Sequence, residues 1–92
     1  MKTKVIARIY VKNEFIDAFK ELAATMVAKT GKESGCLFYR LFQDVSRPGD
    51  FLFYEEYKDQ SALDVHRQSE YLKDFRENNK HMLSQDALVE VI

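Results

Sequence analysis

Cysteine is almost absent from this chain of 92 residues: Cys36 stands alone. A single thiol excludes an internal disulfide framework and any thiolate metal cluster within one chain, and it fits a reducing compartment, the cytoplasm. Proline occurs once and glycine three times, too sparsely for a linker or a disordered tract. Positive charge is not in excess either, since 14 lysines and arginines stand against 15 aspartates and glutamates. A nucleic-acid footprint needs a basic surplus, and no lysine or arginine cluster supplies one. Charges interrupt every apolar run from Met1 to Arg8, and no other run reaches spanning length, so neither a signal peptide nor a membrane anchor is expected. A glycine-rich phosphate loop and a dinucleotide fingerprint are missing, and the two histidines, His66 and His81, have no matching carboxylate pattern around them. Bound flavin, nicotinamide and metal are therefore not expected, and the chain is read as working without a cofactor.

The length suits one domain, residues 1–92. A domain of this size buries only roughly 60–65% of its unfolded surface, so a partner subunit would add stability. Lys4 to Val11 is rich in β-branched residues and predicts the first strand, with Val5, Ala7, Ile9 and Val11 on one face and Ile6, Arg8 and Tyr10 on the other. Phe15, Phe19, Leu22 and Met26 recur at helical steps after a candidate cap at Asn13, and Gly31 predicts a left-handed exit after Thr30. Cys36–Gln43 and Phe51–Tyr57 predict two strands joined by a turn in which Pro48 precedes Gly49, the order that suits a type II turn. Asp59 or Ser61 can cap a short helix, and Ser69 a further stretch to about Lys80 with Tyr71, Leu72, Phe75 and Asn79 on one face. Asp86 to Ile92 predicts the last strand. Strand, helix, strand, strand, helix, strand is the split pattern of a ferredoxin-like α+β fold, with both helical regions on one sheet face. The other face carries residues such as Tyr10, Phe38 and Tyr54, and covering it predicts a homodimer with a shared, barrel-like core.

The short helix places Leu63 and His66 three residues apart, so whatever buries Leu63 draws the imidazole inward. An imidazole titrates near roughly pH 6.5 and can take or return a proton at neutral pH, which makes His66 the candidate base. A helix-face histidine bonded to a backbone carbonyl is the plain alternative. Tyr39, Phe53, Tyr57, Tyr71 and Phe75 can line a pocket for a flat small molecule, although an aromatic stripe is more often simple core. Glu55 must be paired or wet. It either bridges to a neighbour such as Arg8 or Arg40, or orients His66, or serves as a second carboxylate base. His81 is read as a solvated group and Cys36 as a small buried apolar residue.

Gly35-Cys36-x-x-Tyr39, Asp44, Pro48, Phe51, Tyr54-Glu55-x-Tyr57-x-Asp59 and Ala62-Leu63-x-x-His66-x-x-Ser69 resemble the antibiotic biosynthesis monooxygenase (ABM) domain family, and the resemblance spans essentially the whole chain. It implies a dimeric ferredoxin-like α+β barrel, and a quinol monooxygenase-like activity that oxidises phenols or quinols with oxygen and no cofactor. Other branches of the family open haem or isomerise a phosphorylated signalling sugar. The haem-opening branch uses an Asn on the first strand and a Trp, both missing here. Only Arg67 neighbours His66 as a cation in sequence, which leaves the sugar-phosphate alternative, and a non-catalytic ligand-binding one, behind the oxygenase reading.

Overall fold

The computed structural model describes every residue from Met1 to Ile92. Strand β1, Thr3–Tyr10, buries Val5, Ala7 and Ile9 on one face, as its alternation dictates. Helix α1, Ile16–Thr30, lays Phe19, Ala23 and Met26 over that face. Strands β2, Cys36–Gln43, and β3, Asp50–Tyr57, form an antiparallel hairpin. Helices α2, Gln60–Arg67, and α3, Glu70–Asn79, follow, and β4, Leu88–Val91, closes the chain. The sheet runs β2-β3-β1-β4 and is antiparallel throughout. This is the ferredoxin-like order, in which each pair of parallel strands is split by the one between them.

The core lies between the sheet and the helices. Phe19, with no exposed surface, packs its ring 4.9 Å from that of Phe51 and 5.9 Å from that of Phe75. Burying a phenylalanine in this way typically contributes about 3–5 kcal/mol against alanine. A register shift between Cys36 and Phe38 interrupts simple alternation in β2, so that Cys36 and Tyr39, three apart, both pack against the core. One bulge thereby turns Tyr39 toward the helices.

Several local expectations are corrected. Asn13 does not cap α1. It opens a 3-10 turn, Asn13–Phe15, and no side chain caps either segment. Gly31 leaves the helix at φ −62°, and no residue of the chain has positive φ, so neither a left-handed exit nor a type II turn exists. The turn is instead closed by the Asp50 N–H donating to the Arg47 carbonyl at 2.9 Å, with Pro48 and Gly49 between them. Glycine is needed at 49 for room: a Cβ there would stand 2.4 Å from the Val11 carbonyl oxygen. That closeness lets the Val11 N–H donate to the Gly49 carbonyl at 2.8 Å, tying the hairpin turn to the end of β1. The last strand is shorter than the sequence suggests, and its four residues are all exposed.

Gly49→Ala should therefore destabilise the fold by about 1–3 kcal/mol through overpacking against backbone that cannot rotate away. Chemical denaturation of the two proteins measures this, and equal midpoints would show that the turn has slack.

Candidate functional site

Helix α2 exists to bring one side chain inward. Asp59 rather than Ser61 caps it, its Oδ1 accepting from the Ala62 N–H at 2.9 Å. Ala62, Leu63 and His66 form its buried face, and His66 is 3% exposed. The helix comes very close to the start of β2, where a Cβ on Gly35 would lie 2.4 Å from the Cβ of Ala62. At its far end Ser69 stands at the N-cap of α3 as expected, but its hydroxyl donates to the His66 carbonyl at 2.7 Å and makes no bond to the first turn of α3.

The His66 ring stands among three tyrosines, with centroids 5.6 Å from Tyr39, 5.4 Å from Tyr57 and 6.5 Å from Tyr71. Its Nδ1 lies 3.0 Å from Oε2 of Glu33, in the loop between α1 and β2. The Tyr71 hydroxyl donates to the same oxygen. Burial and that bond push the Tyr71 phenol up to about 12, so it remains a donor at neutral pH. A carboxylate only accepts, which places the ring hydrogen of neutral His66 on Nδ1 and leaves a lone pair on Nε2. Nε2 has no partner within the chain. The imidazole is therefore oriented from behind by Glu33 and open in front.

In front lies a cavity of about 370 Å³. Val5, Ala7, Ile9, Phe53 and Phe75 give it apolar walls, and Tyr39, Glu55 and His66 meet at its inner end. Glu55, 5% exposed, accepts from the Tyr57 hydroxyl at 2.7 Å. Burial pushes its carboxyl above the usual range, opposed in part by the Tyr57 hydrogen bond and the nearby charges of His66, Arg67 and Arg76. Burial likewise raises the phenols of Tyr39 and Tyr57, so both are hydroxyls at neutral pH.

Of the residues singled out in the sequence, the fold gathers Tyr39, Phe53, Glu55, His66 and Phe75 around this cavity. Tyr57 and Tyr71 do not line it. Tyr57 is fully buried and donates to Glu55, and the Tyr71 hydroxyl is engaged with Glu33. Glu55 bridges neither candidate arginine, because both point from the opposite sheet face: Arg8 approaches Glu90 at 3.9 Å and Arg40 stacks on Phe38 at 4.6 Å. His81 is exposed, with its ring edge-on to Phe15 at 5.1 Å, and Cys36 is half-buried, its thiol directed at the Phe38 carbonyl. Glu33 was not legible in the sequence. It is 33 residues from His66, and only its position just before Gly35, where the chain closes on α2, hints at a role. Arg76 and Lys80 join Arg67 at the cavity, a cationic group that the sequence around His66 does not display. No three His, Cys, Asp or Glu side chains converge as a metal-holding group.

A ferredoxin-like domain with a histidine pocket between sheet and helices defines the class, and comparison with known proteins defines the family. Residues 3–78 match the antibiotic biosynthesis monooxygenase family, and the chain belongs to it. It is 30% identical over 88 residues to the Mycobacterium tuberculosis protein named "Putative monooxygenase Rv0793", covering 96% of this chain and 86% of that one. The solved structure of that protein superposes with a TM-score of 0.93 at 28% identity, over 100% of this chain and 93% of the other. A crystal structure described as an antibiotic biosynthesis monooxygenase is 38% identical, with a TM-score of 0.93 over 98% of this chain and 95% of its own. An uncharacterized Synechocystis protein is 30% identical over 87 residues, and the chain spans 59% of that protein's length.

Because the Glu55 carboxyl titrates above its unfolded value of roughly 4.3, the fold loses stability as pH rises from there through the raised value. Glu55→Gln removes that loss and can still accept from Tyr57. It should melt above the parent at pH near 7, with the gap closing toward pH near 4. Thermal melts at both pH values check the sign, and a variant less stable than the parent at neutral pH contradicts it.

Proposed function

We propose that this chain is a cofactor-independent monooxygenase that oxidises a phenolic or quinol-type small molecule with dioxygen, working in the cytoplasm as a homodimer. The observation that carries the reading is His66, held by Glu33 through Nδ1 with Nε2 free beside an apolar cavity. The family and the monooxygenase names of its relatives support it.

A flat phenol would lie against the wall that Phe53 and Phe75 form, with its hydroxyl toward Nε2 of His66. Nε2 takes the hydroxyl proton, and the Glu33 carboxylate stabilises the imidazolium that results. The phenolate is a far better electron donor than the phenol, and it passes one electron to dioxygen. The resulting radical and superoxide join at a ring carbon, forming a carbon–oxygen bond. That carbon then loses its hydrogen as a proton while the oxygen–oxygen bond breaks, so one oxygen stays as a carbonyl and the other leaves as water. Tyr39 keeps its hydroxyl proton and can donate to the developing peroxide. Apolar walls limit water around the anion and the radical pair.

One observation favours a second reading. Arg67, Arg76 and Lys80 at the cavity suit a phosphorylated ligand, as an isomerase or lyase of a sugar phosphate would need. The five apolar wall residues named above favour the aromatic ligand.

The homodimer is supported by the sheet face away from the helices. Phe38 meets Tyr54 there at 5.6 Å, and Phe42 and Leu88 are each about half exposed, at 48% and 46%. Their strand partners place Phe42, Leu52, Arg8 and Leu88 in one row across the sheet. Sedimentation should show a dimer that Leu88→Glu weakens, and a stable monomer at micromolar concentration would contradict the expectation.

His66→Ala should lower oxygen consumption with a hydroquinone panel by roughly 10²–10⁴-fold while the dimer persists. Unchanged turnover in the variant would remove His66 from the chemistry. Conversion of a keto sugar phosphate without oxygen uptake would select the second reading.

A further inference from the structure

The rim of the His66 cavity carries charge that proton transfer at His66 does not use. Arg76, Asn79 and Lys80 fall at i, i+3 and i+4, so one side of α3 and its 3-10 extension turns all three toward the opening, while Arg67 reaches it from the end of α2. None of the three cations is ion-paired within the chain, whose salt bridges join other residues. Asn79 is only 5% exposed, yet its side chain makes no hydrogen bond within the chain. Buried amides are almost always paired, so this one is available to a ligand. The opposing carboxylates of the lining are Glu77, at the exposed rim, and Glu55, at the inner end and bonded to Tyr57.

We infer that the cavity binds an aromatic acid: a flat apolar body against Phe53 and Phe75, and an ionised carboxylate held at the rim by Arg67, Arg76, Lys80 and the Asn79 amide. This rests on the reading of the cavity as a substrate site and narrows the substrate class. A guanidinium matches a planar carboxylate through paired N–H donors, which two arginines here can supply. The apolar walls leave the hydroxyls of a sugar without partners, which separates an aromatic acid from a sugar phosphate. With the acid group at the rim, the opposite end of the ring system points inward, where a phenolic hydroxyl meets His66.

Calorimetric titration of the intact chain with 6-hydroxy-2-naphthoate and with its primary amide tests the inference by binding, independently of turnover. The acid should bind about tenfold or more tightly than the amide, and raising salt from about 0.05 M to about 0.3 M should shrink that preference. In the double variant Arg67→Gln, Arg76→Gln the preference for the acid over the amide should be lost. Equal affinities, no saturable binding of the acid, or a preference that survives the double substitution would overturn the inference. So would ribose 5-phosphate displacing the amide as well as the acid does. The salt series on the parent protein needs no variant and decides the matter if the double variant folds poorly. Oxygen uptake with neutral hydroquinones and no preference for acids would sink this inference while leaving the oxygenase reading in place. Tight acid binding without oxygen uptake would do the reverse.

Discussion

The contact between Glu33 and His66 is the interaction on which the site depends. Both side chains are nearly out of water, at 11% and 4% exposure, so Glu33 cannot turn away without leaving Nδ1 of His66 unpaired. Breaking such a pair from one side is costly, because a buried carboxylate remains. One oxygen of Glu33 receives both His66 and Tyr71, while the other is buried without a partner. The loop after α1, helix α2 and helix α3 thus meet at a single carboxyl oxygen. A fold that must keep these three segments together also keeps the imidazole at one angle to the cavity.

The site separates two carboxyl groups by environment. Glu33, behind the ring, receives two donors on a single oxygen, the His66 Nδ1–H and the Tyr71 hydroxyl. Glu55, in front, has one hydroxyl donor, and burial makes its ionised form expensive despite the nearby Arg67 and Arg76. The tyrosines around the ring keep their protons, so they shape and donate rather than compete as bases.

Periodicity carried the architecture well. Alternation in β1 and β3 and the steps from Phe15 to Met26 identify elements whose buried faces match those of the structure, because burial of one face is what such periods record. The residues that failed belong to local geometry. Gly31 and Gly49 read as left-handed positions, yet both serve ordinary backbone, and Gly49 is there because Val11 passes too close for a side chain. Within the site, His66 was legible because Leu63 betrays the buried face of α2. Glu33 and the cations of α3 reach the cavity only through tertiary packing, which no local spacing encodes. Tyr57 and Tyr71 misled for the opposite reason: an aromatic near a cavity in sequence terms can stand one layer behind it.

Gly35 and Ala62 are among the smallest residues available, and their near-contact sets the separation between α2 and the sheet. Such a contact works as a mechanical stop. Residues around the opening can change size and charge to suit different ligands, and the helix that carries the imidazole will not shift in response. A change of size or charge at the rim is thereby uncoupled from the stop, and the imidazole keeps its distance from the sheet.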